Sequence, residues 1–124
     1  MITTADRDLI EKLHSRTLAG KLTWEQAGDW ELIAVLPNKQ RFHVRRIEVH
    51  VDVPPPGREP YSTYSICLTM FDPEGTELLE ITTGDLREDD PLHRLLFDLH
   101  AAAMRSDEHV KQQLQEAMDA LDDL

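Results

Sequence analysis

Apolar positions recur at helical spacing near the start of the chain, alternate through its middle, and return to helical spacing over its last third. Leu9, Ile10 and Leu13 fall on one stripe, which Leu18 extends by a turn, and this predicts a helix over residues 5–19. Thr3 and Thr4 are its N-cap candidates, and Gly20 stands where a glycine commonly ends a helix. The connection GKLTWEQAGDW follows. Its Trp24 reads as an anchor onto the core, because an indole buries a large apolar area.

The alternating middle predicts four strands, over residues 30–36, 41–53, 61–71 and 76–83. PNKQ and DPEG mark turns between them, DPEG having Asp, Pro and Gly at the first, second and fourth positions of a tight turn. VPPPGREP reads as an exposed loop, since proline cannot donate a ladder hydrogen bond. Within RFHVRRIEVHV the alternation slips: Phe42 and Val44 share one face, whereas Ile47, Val49 and Val51 share the other. A β-bulge at Arg45 and Arg46 would return all five to one face, and that is the expectation here.

In the last third, Asp90 and Pro91 suit an N-cap and first helical position, and Glu88 and Asp89 favour the positive end of the helix dipole. Leu92, Leu95, Leu96, Leu99, Ala102 and Ala103 form a core stripe. Ser106 and Asp107 suggest a second N-cap and a last helix through Val110, Leu114, Ala117, Met118 and Leu121. The expected fold is one α+β domain over residues 1–124. It comprises an N-terminal helix, a four-stranded antiparallel β-meander bulged near Arg45 and Arg46, and two C-terminal helices packed on one sheet face.

Charge sharpens this picture. The net charge is −11, and residues 72–124 carry 15 acidic and 4 basic side chains, which accounts for all of it. Such a balance argues against general affinity for nucleic acid or an anionic membrane, and points to solubility or to a basic protein partner. No apolar run is long enough to span a membrane, and the opening MITTADRDLIEK lacks the basic and apolar regions of a signal peptide, so a cytoplasmic location is expected. Cys67 is the single cysteine and reads as a packed thiol.

No phosphate loop, HExxH, CxxC or GxSxG motif is present, and a non-enzymatic role is expected, with no cofactor. Among His14, His43, His50, His93, His100 and His109 no pair stands three or four apart on a predicted helix, so no metal site is expected. Two clusters are candidates for contact. Lys39, Arg41, Arg45 and Arg46, with His43 among them, form a basic patch that could meet a phosphate backbone or pair with the acidic helices. His93, Phe97, His100 and Met104 run beside the leucine stripe, either as a wide core contact or as the interface with a partner or a second copy.

Gly20, Leu22, Trp24 and Glu25, then Tyr64, Ser65, Leu68, Thr69, Asp72 and Gly75, then Leu92, Leu95 and Ala102, resemble the pattern of a family of small bacterial proteins. In that pattern a helix is followed by GxLxWE, a meander and a leucine-spaced helix; the insertion at residues 54–60 departs from it. The resemblance implies a bacterial origin and a shared α+β fold, and no activity. The leading expectation is a protein-interaction or regulatory module acting through its acidic C-terminal helices, as a monomer or homodimer. The alternatives are an acidic inhibitor that mimics DNA to occupy a nucleic-acid-binding protein, and a small-molecule binder with a pocket lined by Trp24, Trp30 and Tyr64.

Overall fold

The computed structural model describes residues 2–124. Helix α1 (Thr4–Leu18) begins at Thr3, whose hydroxyl accepts from the Asp6 N–H while the Asp6 carboxylate accepts from the Thr3 N–H. This reciprocal pair satisfies two donors that a helix start leaves free. Gly20, with φ of +73°, takes the left-handed conformation just past the last turn. Strands β1 (Glu25–Gly28), β2 (Glu31–Val35), β3 (Arg41–Val51), β4 (Tyr61–Phe71) and β5 (Glu77–Thr82) then form an antiparallel sheet in sequence order. A 3-10 turn (Thr83–Asp85) leads to α2 (Pro91–Ser106) and α3 (Glu108–Asp122).

The α+β class holds, but the sheet has five strands rather than four. The additional strand, β1, is an edge of four exposed residues, EQAG, so it carries no apolar alternation by which to be recognised. The expected bulge at Arg45 and Arg46 is absent. Pairing between β3 and β4 runs unbroken from Arg41 opposite Phe71 to Val51 opposite Tyr61. Irregularities fall instead between Gln26 and Gly28 and between Met70 and Phe71.

The slip in RFHVRRIEVHV is therefore a real change of side, and the width of the sheet explains it. β2 pairs with β3 only up to Arg45, and β5 pairs with β4 only from Cys67 onward. Up to that line, Phe42 and Val44 point to the helices and are fully buried. Past it, β3 and β4 continue as a two-stranded ribbon, and beyond core Ile66, opposite Arg46, their helix-side positions Glu48 and Tyr64 are exposed. Ile47, Val49 and Val51 can then lie on the opposite face without exposing a core residue.

The core joins Leu32, Phe42, Val44, Ile66, Leu68 and Ile81 of the sheet to two helices. Helix α2 contributes Leu92, Leu96, Leu99 and Ala103, and α1 contributes Ile10 and Leu13. The helices are clamped at one end: Arg7 donates to both carboxylate oxygens of Asp90, at 2.7 and 2.8 Å, while Asp90 also caps α2 by accepting from the Leu92 N–H. Those donors hold the Asp90 carboxyl well below the usual range. With α1 and α2 filling the sheet face, α3 has no place on it, and it contains no buried residue. Two helices do cover the sheet, but they are α1 and α2 rather than the two at the C-terminus.

Candidate functional site

Trp24 sets the geometry between the helices. It is fully buried, and its indole N–H donates to the Thr17 hydroxyl at 3.0 Å, which itself donates to the Leu13 carbonyl at 2.7 Å. Its backbone N–H donates to Ser106 Oγ, and two residues on the Gln26 N–H donates to the Asp107 carboxylate. Asp107 caps α3 at the same time, accepting from the His109 and Val110 N–H groups. Burial opposes ionisation of this carboxyl, but three backbone donors outweigh it and hold the group below its ordinary value. The junction between α2 and α3 is thus tied to the chain entering β1, and α3 leaves the body in a fixed direction.

What α3 carries outward is an unpartnered amphipathic face. Leu114, Met118 and Leu121 are 52%, 53% and 65% exposed, at the spacing of one helical stripe. From Asp107 onward six acidic side chains stand against one basic one, Lys111.

The stripe of His93, Phe97, His100 and Met104 is placed differently. Phe97 and Met104 are half-buried against the core, and the His93 ring packs at a tilt of 44° against Phe97 with ring centres 5.4 Å apart. His100 is buried, and its Nε2–H donates at 3.0 Å to the Trp30 carbonyl, which also accepts the Arg46 N–H. Burial keeps this imidazole neutral to lower pH than usual. These two donors hold Trp30 in a left-handed conformation, φ 63°, which costs a side-chain-bearing residue about 1–2 kcal/mol. So anchored, the Trp30 ring lies 3.6 Å from the Arg46 guanidinium carbon, with Tyr64 at 4.1 Å. Trp24, Trp30 and Tyr64 therefore do not line a common pocket: the first is core, and the other two are half-exposed partners of one arginine.

The four cations of the sequence patch are dispersed. By strand parity Arg41 and Arg45 share the helix-free face with His43, and Arg46 lies on the helix side. Lys39 sits in the turn between β2 and β3 at φ 74°. A different set converges instead. Lys12 and Arg16 from α1, Lys21 from the connection and Lys39 from the turn surround a groove of about 620 Å³. Its walls include Leu9, Leu22, Val35 and Leu36, and no acidic side chain lines it. Among the described residues, none of these four cations stands within 4 Å of a carboxylate. Sequence reasoning missed this group because three separated segments supply it.

Among the described residues no three His, Cys, Asp or Glu side chains gather as metal ligands, and no helix is long and apolar enough to cross a membrane. No family model, curated protein or solved structure matches the chain.

Proposed function

We propose that the chain is a non-enzymatic interaction module whose docking element is α3, an acidic amphipathic helix presented to an apolar, basic-rimmed groove on a protein partner. The observation that carries this reading is that α3 contains no buried residue and yet aligns Leu114, Met118 and Leu121 on one exposed stripe. A helix with such a face ordinarily covers it, and helix-in-groove docking is the common way. The charges around the stripe favour a cationic rim and discriminate against an acidic one. The reading narrows the contact from the C-terminal helices in general to α3, since His100, Phe97 and Met104 of α2 are engaged within the fold.

The test is affinity capture with the wild-type chain and with Leu114→Asp/Met118→Asp, side by side at low and high salt. Both positions are exposed, so the variant should keep its thermal midpoint. A stoichiometric partner retained by the wild type and lost by the variant is the expected result. The same acidic surface supports a second reading, mimicry of nucleic acid toward a basic protein. In that case the variant captures as well as the wild type, and high salt releases the partner from both. Equal, salt-independent capture by both chains would refute either form of docking through α3.

A further inference from the structure

The molecule has two unsatisfied surfaces, and they are complementary. We infer that α3 of one copy occupies the Lys12–Arg16–Lys21–Lys39 groove of a second copy, and that the exchange is reciprocal, closing a two-fold dimer. This rests on α3 being the docking element, and it names the partner.

The argument begins with what each surface lacks. The groove offers apolar walls and four cations with no carboxylate within 4 Å among the described residues. Helix α3 offers an apolar stripe beside carboxylates, with Asp122 four residues after Met118 and Asp119 next to it in sequence. In a chain of net charge −11, four cations gathered around one apolar depression form a local exception. An acidic amphipathic helix is the occupant that charge selects. Three aliphatic side chains over two helical turns also suit a cavity of this size, which lies within the roughly 300–1,000 Å³ of ordinary binding pockets.

No α3 side chain lines the groove within one chain, and the Asp107 cap together with the Ser106 and Gln26 contacts fixes the direction in which α3 leaves. The groove and the helix can therefore meet between copies. A single heterologous contact of this kind would propagate into a filament. Reciprocal exchange closes the assembly at two chains and doubles the contact.

The test uses the full chain and light scattering coupled to size exclusion, from micromolar to millimolar concentration. The wild type is expected to run as a concentration-dependent dimer weakened by salt. Lys12→Glu/Arg16→Glu and Asp119→Lys/Asp122→Lys, all at exposed positions, should each run as a folded monomer. The two variants mixed in equal amounts should recover the dimer, because each acidic α3 then meets a basic groove and each basic α3 an acidic one. A wild type that stays monomeric throughout overturns the inference, while docking of α3 to a different protein is decided by the capture experiment. A dimer lost on Leu114→Asp but kept on Lys12→Glu/Arg16→Glu also overturns it, placing the contact helix against helix. Failure of the mixture to recover the dimer does so as well.

Discussion

Replacing Thr17 by valine probes the joint on which the proposed docking geometry depends. The substitution keeps the side-chain shape and exchanges a hydroxyl for a methyl. In the protein that hydroxyl is buried, accepts from the Trp24 indole N–H at 3.0 Å and donates to the Leu13 carbonyl at 2.7 Å. The carbonyl lies inside α1, where it also serves the helix ladder, so its loss is minor. Among the described residues the indole N–H has no other acceptor, and it belongs to a fully buried side chain. Leaving such a donor unpaired costs about 1–3 kcal/mol. At roughly 4 °C per kcal/mol for a domain near this size, a loss of about 2 kcal/mol lowers the thermal midpoint by roughly 8 °C. Urea denaturation followed by tryptophan fluorescence and by circular dichroism measures the same loss independently. The decisive control is a cycle with Trp24→Phe, which removes the donor. In that background Thr17→Val should be nearly neutral, with a coupling of about 1–2 kcal/mol between the two sites. If Thr17→Val is harmless in the wild type, or costs the same in both backgrounds, the hydroxyl is not what satisfies Trp24 and the joint is misassigned.

Three further outcomes are expected. Asp107→Ala removes the α3 cap and the acceptor for Gln26 together; it should cost about 1 kcal/mol or somewhat more, and hydrogen exchange should quicken first in α3 and at Gln26. His43 and His100 are both held below the usual histidine value by burial, so the unfolded chain takes up more protons as pH falls. Stability should therefore be complete above about pH 6.5 and decline below it, with His100→Gln flattening the decline. A second loss should set in below about pH 4, where the depressed carboxyls of Asp90 and Asp107 begin to protonate in the unfolded chain. Arg46→Ala deletes two ring contacts of about 0.5–1 kcal/mol each and should shift Trp30 fluorescence, which Arg46→Lys would restore only in part.

The helices were legible because their signals are local. Thr3, Asp90 and Asp107 cap where the sequence places caps, Gly20 and Gly75 take the positive φ their turns need, and the break at Ser106 separates α2 from α3. Trp24 anchors its connection as expected. What the sequence hid depends on the sheet as a whole. Strand parity alone cannot show where a sheet narrows, so the change of side after Arg45 read as a bulge when it marks the start of the ribbon. Parity also separates Arg46 from Arg41 and Arg45, which breaks up a patch that is contiguous only along the chain. The groove was invisible for the converse reason, since Lys12, Lys21 and Lys39 meet only after α1 has packed beside β2 and β3.

The meander order has a kinetic consequence. Every strand pairs with its neighbour in sequence, so the sheet closes through short loops whose ordering entropy is small. The helical layer is assembled from opposite ends of the chain, and Arg7 reaches Asp90 across 83 positions. That pairing becomes affordable only once the meander has brought the two ends together. Structure should accordingly spread outward from β3 and β4, with the amides of α1 protected after those of the central hairpin in pulse-labelled exchange. Helix α3, which buries no residue of its own, would be the last segment to order and the first to melt.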